Sequence, residues 1–196
     1  MADPTPPLTT VPAPITLEDG ARLIGQHVWL EMRLFEVLGA WVPTVPELDV
    51  KSHLATHSRR HAWHAELWHG HLPRVAGIDA DALVAPPSSG VADALVALAE
   101  PAGTLERLAG TYRVVLPRVV AATAHRLAGT SDVADAALAR SLRFVLADDL
   151  DDWREGEALL QSLIGGPDDV DRAHAQQARV EKLIVGAGGL VGAPAA

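Results

Sequence analysis

Apolar residues recur along this chain at intervals of three and four, and no stretch alternates long enough to mark a strand. The pattern predicts a first helix from a Thr16 N-cap, with Glu18 and Asp19 in its first turn, to about Gly39 or Trp41. Pro43 and Pro46 enforce the break. A second helix is predicted over about Glu47 to Gly70, stopped by Pro73. A long connection over 72–90 leads to a short apolar helix at about Val91–Glu100. A third long helix covers about Thr104–Ala128, kinked at Pro117 and ended by Gly129. Ser131 is the predicted cap of a fourth, which reads to about Ile164. A last helix runs from Asp168 to about Val185. The fold class is therefore all-α, with four long helices packed at bundle angles and one or two short ones. One domain over 16–186 is expected, with a Pro-rich extended arm over 1–15 and a flexible tail over 187–196.

The polar exceptions inside the apolar rows carry the chemistry. On the second helix Val50, Leu54, His57, His61, His64, Trp68 and His71 step by alternating four and three, so they share one face. Three imidazoles thus sit within the seam expected to be buried, and a buried imidazole needs a hydrogen-bond partner or a metal. The first helix presents Leu17, Ala21, Ile24, Val28, Glu31, Phe35 and Leu38, an apolar row broken by Glu31. His27 lies one turn before it, on an adjacent line. The fourth presents Leu138, Leu142, Val145, Asp149, Asp152, Gly156, Leu159 and Leu163. A slightly rotated row keeps Asp149 but not Asp152. The third, Leu105, Leu108, Tyr112, Val115, Val119 and Ala122, carries a tyrosine and no acid.

Composition narrows the choices. The net charge of −9 argues against nucleic acid or an anionic membrane as the main partner. Lysine occurs only at 51 and 182, and the arginines are scattered. The absence of cysteine removes disulfides, thiolate metal sites and thiol nucleophiles together. The opening MADPTPPLTTVPAPIT has neither the basic start nor the apolar stretch of a signal peptide. No apolar run approaches the roughly 18 residues of a membrane span. A cytoplasmic protein is expected. Phosphate-binding glycine loops and a Gly-x-Ser-x-Gly elbow are lacking, and HAWHAEL has the wrong spacing for a zinc protease.

Two readings of the polar interruptions follow. A divalent ion would neutralise Glu31 and Asp149 while His61 and His64 donate lone pairs, a donor set suited to Fe, Mn, Zn or Ni. Alternatively, His57 or His61 pairs with Glu31 or Asp149 in a hydrogen-bonded polar layer with no ion. Asp148, Asp151, Glu155 and Glu157 read as a solvated acidic face, and His53, His69, His71 and His174 as surface residues. The five tryptophans read mostly as core, with Trp63 and Trp68 also placed to wall an apolar substrate pocket.

The arrangement resembles the ferritin-like superfamily, whose four-helix bundle holds two metal ions with Glu, Glu-x-x-His, Glu and Glu-x-x-His on successive helices. Glu31 matches the first-helix ligand and His64 the second-helix histidine, with His61 where a glutamate stands in the family. Asp149 matches the fourth-helix carboxylate, with Asp152 in the place of the histidine. The third helix offers no carboxylate in register. The likeness covers about 17–164 and implies a ferritin-like four-helix bundle. A weaker likeness is to hemerythrin-like bundles, through His27-x-x-x-Glu31 and His57-x-x-x-His61.

The resemblance implies an iron- or manganese-dependent oxidoreductase or oxygenase acting on a small organic molecule. Glu31, His61, His64, Asp149 and Asp152 are the candidate metal ligands, and Tyr112 and His57 the candidate catalytic residues. The 72–90 connection is the candidate lid. Two other functions fit the same residues: a metal-free binding or oligomerisation module, and a metal-free acid–base enzyme using a His–Asp or His–Glu pair. A homodimer is expected from apolar faces on the last helix and the 91–100 helix.

Overall fold

The computed structural model describes residues 15–101, 103–131 and 133–192. The predicted arm lies outside these residues apart from Ile15, as do the last four positions of the predicted tail. Among the described residues the chain is all-helical, without strands. Helix α1 (Leu17–Trp41) begins at Thr16, whose hydroxyl accepts from the Asp19 N–H at 3.1 Å and so answers one of the free donors of the first turn. Helix α2 (Leu48–His69) returns after a short proline-punctuated link. The two lie close together where Gly39 leaves room for Ser58, whose hydroxyl donates to the Phe35 carbonyl at 2.9 Å.

Helix α3 (Ser89–Ala99) is short. Helix α4 (Thr104–Gly110) runs through a π-helical turn (Thr111–Val115) into α5 (Leu116–Ala128), making one continuous rod. Proline explains the break in regularity. Pro117 has no N–H and its ring excludes the carbonyl four residues earlier, and the widened turn immediately before it relieves both problems. The kink expected at Pro117 is thus taken up as a π turn. That turn buries Tyr112, Val114, Val115 and Leu116 together.

Helix α6 (Ala136–Leu163) starts later than predicted. Ser131 caps a turn instead, accepting from the Val133 and Ala134 N–H groups. Helix α7 (Pro167–Gly186) follows. Among the described residues no helix is long and apolar enough to cross a membrane.

Helix α2 packs against α1 on one side and α6 on the other, and α6 also meets the α4–α5 rod. Helices α3 and α7 pack against each other and against α4. Val91, Ala94, Leu95 and Leu98 of α3 and Ala173, Val180 and Ile184 of α7 are all buried within the chain. Part of the apolar surface that suggested a homodimer is thus covered within the chain, while Val96 of α3 and Val170, Leu183 and Val185 of α7 remain exposed. The predicted tail is also partly ordered. Gly188 and Gly189, at φ +85° and +108°, reverse the chain. Leu190 then reaches the core, and the Gly192 N–H donates to Gln26 Oε1 at 2.9 Å.

Segment 72–84 packs on a satellite apolar cluster. Leu72 is buried there beside Ile24, Val28, Trp68, Leu138 and Leu142, with Ala80, Leu83 and Val84 against it. Its approach to α1 is close: a Cβ at Gly25 would lie 2.2 Å from the Leu83 carbonyl oxygen. This seating makes the segment part of the packing around Trp68.

Candidate functional site

Every seam position of α2 from Val50 to Trp68 is buried. His71, beyond the end of the helix, is half-buried and hydrogen-bonds Ser141 Oγ at 2.9 Å. In α1 Glu31 is fully buried, whereas Leu17 and Phe35, expected in the same row, are exposed. In α6 Asp149 and Asp152 are both fully buried. The structure therefore places polar groups from three helices inside the protein, and they form two sets of contacts that adjoin where the His57 and His61 rings lie with centroids 4.4 Å apart.

The first set joins Glu31, His61, His64 and Asp149. His61 Nδ1–H donates to Glu31 Oε2 at 2.5 Å. His64 Nδ1 lies 3.7 Å from Glu31 Oε2 and 3.6 Å from Asp149 Oδ1. On the other side of its ring, His64 Nε2–H donates to Asp148 Oδ2 at 3.2 Å. Asp148 was read from the sequence as part of a solvated face, but it is half-buried and fixes the orientation of His64. Four buried atoms in this set have no hydrogen-bond partner: Glu31 Oε1, His64 Nδ1 and both carboxyl oxygens of Asp149.

The electrostatics follow from burial. Burial alone would raise the Glu31 carboxyl, but the imidazoles of His61 and His64 hold it below the usual carboxylate range. Burial likewise opposes a charge on His64, yet Glu31, then Asp149 and Asp148, raise it to about 9. Asp149 is pushed well above the ordinary range, first by burial and then by the Glu31 charge. Two buried carboxylates that both face His64 disfavour each other's charge unless a cation stands between them. In this state the proton on His64 supplies the positive charge.

The donor set fits a transition-metal ion. Ligands bound at about 2.0–2.2 Å to one ion sit about 3–4 Å from each other. The His64–Glu31 and His64–Asp149 separations fall in that window. The His61–Glu31 contact is shorter and is a hydrogen bond. Glu31, His61 and His64 bring one donor atom each within 4.8 Å of one another. The Asp148 carboxylate behind His64 is the kind of outer partner that orients a ligating imidazole.

The second set joins Tyr112, His57, Asp152 and Arg60. Burial, with the neighbouring His61 and His53, holds His57 well below the ordinary imidazole range, so the ring is neutral. Its Nε2 faces Asp152 Oδ2 at 3.9 Å, which favours a proton on Nε2. Tyr112 O–H then donates to Nδ1 at 2.9 Å. Asp152 accepts from Arg60, and burial still raises it to about 6. Asp152, predicted as a metal ligand, accepts from Arg60 and faces His57, and it brings a donor atom within 4.8 Å of His53 and Glu155 rather than joining the Glu31–His64 contacts. Burial, with Asp152 and Glu155, also raises the Tyr112 hydroxyl well above its ordinary value. The tyrosine fits only because Gly156 faces it, since a Cβ there would lie 2.2–2.4 Å from three ring atoms.

His53 corrects the sequence reading. It is buried, beside Tyr112 and His57, with Nδ1 3.4 Å from Glu155 Oε2. The signal was present, because 53, 57 and 61 form an unbroken row at four-residue spacing. Glu157, also assigned to a solvated face, forms a two-pronged ion pair with Arg113. Trp63 is exposed, whereas Trp68 is buried and stacks on His27 with centroids 4.0 Å apart. His69 and His174 are exposed, as expected.

Comparison with known proteins leaves the chain unassigned: no family model, no curated protein and no solved structure matches it.

Proposed function

We propose that Glu31, His61, His64 and Asp149 hold one transition-metal ion in a ferritin-like four-helix arrangement of α1, α2, the α4–α5 rod and α6. On this reading the protein is a cytoplasmic oxidoreductase acting on a small organic molecule. One observation carries the metal reading. Four buried atoms able to bind a metal, on Glu31, His64 and Asp149 of three helices, have no hydrogen-bond partner, and His64 Nδ1 lies 3.7 Å from a Glu31 oxygen and 3.6 Å from an Asp149 oxygen. Leaving such atoms unanswered costs several kcal/mol, and a cation would answer them together.

A donor set of two imidazoles and two carboxylates suits iron or manganese, which would supply redox chemistry and oxygen activation when bound. The chain's own residues do the rest. Asp148 holds His64 Nε2–H and turns Nδ1 toward Glu31 and Asp149. His57 accepts a hydrogen bond from Tyr112 at Nδ1 and carries its proton at Nε2, facing Asp152. That line runs from the interior to the half-exposed Arg60 and fixes the orientation of the His57 ring.

The short His61–Glu31 hydrogen bond favours a second reading, in which the layer is metal-free and serves as an acid–base pair or a polar register within the core. Elemental analysis of protein purified without chelators separates the two. The metal reading expects about one equivalent of iron or manganese, lost in His61→Ala and His64→Ala. Native protein that carries no transition metal and takes up no added Fe, Mn or Zn would establish the second reading instead.

A further inference from the structure

A cavity of about 360 Å³ lies between α1, the end of α5 and the segment after α7. Its volume is within the range of about 300–1,000 Å³ of small-molecule pockets. Leu23, Ala122 and Val191 give it apolar walls. Three polar side chains also line it: His27, Arg126 and the exposed His125. His27 is 2% exposed, and its Nδ1 has no hydrogen-bond partner. Its ring is held flat against Trp68, 6° from parallel. Arg126 lines the same cavity, and its Nε is buried without a partner. Among the described residues Arg126 forms no side-chain hydrogen bond or ion pair, whereas eight of the fourteen arginines are paired with acids. A buried guanidinium N–H without an acceptor is costly.

We infer that this cavity binds a small organic monocarboxylate, with Arg126 pairing with the carboxylate, His27 Nδ1 hydrogen-bonding it, and the apolar walls taking its hydrocarbon body. One guanidinium supplies one positive charge, which matches a single carboxylate better than a phosphate dianion. Apart from the exposed His125, the other lining side chains are apolar and give no partner to a second polar end. Trp68 fixes the imidazole plane, so the Nδ1 direction is set before the ligand arrives. The other sizeable depression, between Thr16 and Ile78, has only Glu18 as an ionisable lining group and would repel the same ligand. The assignment does not rest on the metal reading, since neither Arg126 nor His27 belongs to the proposed ligand set.

The test is isothermal titration calorimetry of the full chain, as purified, with octanoate, 1-octanol and inorganic phosphate. Octanoate should bind saturably at one equivalent, at least tenfold more tightly than either control. Arg126→Gln should weaken it by about ten- to a hundredfold, the scale of a lost charge-assisted hydrogen bond. Arg126→Lys should recover part of that loss. His27→Phe, which keeps a ring against Trp68, should weaken binding several-fold. Absence of saturable octanoate binding at millimolar concentration would overturn the inference, as would equal affinity for 1-octanol or for phosphate. Unchanged affinity in a folded Arg126→Gln protein would overturn it too. Should Arg126→Gln fail to fold, the headgroup series on the native chain and the Arg126→Lys variant decide the matter.

Discussion

The two sides of this molecule spend burial differently. Where α3, α4 and α7 meet, buried positions such as Leu95, Leu98, Leu105, Leu108, Val180 and Ile184 are apolar and close-packed. Where α1, α2 and α6 meet, equally buried positions hold Glu31, His57, His61, His64, Asp149 and Asp152, several with unanswered atoms. Burying an apolar side chain stabilises the fold, while burying an unpaired carboxyl works against it. The first region therefore supplies stability that the second consumes, and the second is where chemistry is to be sought.

The contrast can be broken at four points. Leu108→Ala, in the apolar region, should cost about 2–5 kcal/mol of unfolding free energy, read by urea denaturation. A much smaller cost would mean that this region is not the stabilising one. The pH dependence comes next. Burial lowers His27 from 6.5 to about 4, so the unfolded chain binds the extra proton first as pH falls. Stability from this group is complete above pH 6.5 and is lost between there and pH 4, amounting to about 3 kcal/mol. His27→Gln should flatten the acid limb of the stability curve by that amount, and an unchanged limb would contradict the burial argument.

Gly156→Ala drives a Cβ into the Tyr112 ring and should cost about 1–3 kcal/mol. It should also disturb the Tyr112–His57 hydrogen bond, seen as a shifted tyrosine absorbance on alkaline titration. Asp149→Asn sharpens the contrast most. Removing a carboxyl that burial already disfavours should leave metal-free protein as stable as before, or more stable by about 1 kcal/mol. Metal uptake should be abolished by the same change. A large loss of stability in the metal-free form would show that Asp149 is structurally paired after all.

Much of the site was legible in the sequence because helical spacing dictates which residues share a face. The four-and-three steps from Val50 to Trp68 predicted a buried row, and that row is buried. The same reasoning reached Glu31, Asp149, Asp152 and Tyr112. It failed where a residue lies off the central row. Asp148 flanks the seam of α6 yet reaches His64, and His53 was put on the surface although the neighbouring rod covers it. Asp152 shows the opposite limit. Its burial could be read, but its engagement by Arg60 required knowing which side chain of α2 stands across from it.

Periodicity, proline and glycine punctuation, and the lack of cysteine were enough to determine an all-helical chain with acids and imidazoles on inward faces. These are properties of single helices, fixed by 3.6 residues per turn and by backbone groups that each segment must satisfy locally. Only the tertiary structure decided the height at which those faces meet. That height divided the polar residues into a Glu31–His64–Asp149 set and a Tyr112–His57–Asp152 set. It also turned the chain after α7 back over Gln26 to wall a cavity around Arg126. Contacts between helices depend on translation and rotation of one rod against another, and no spacing within a single rod encodes them.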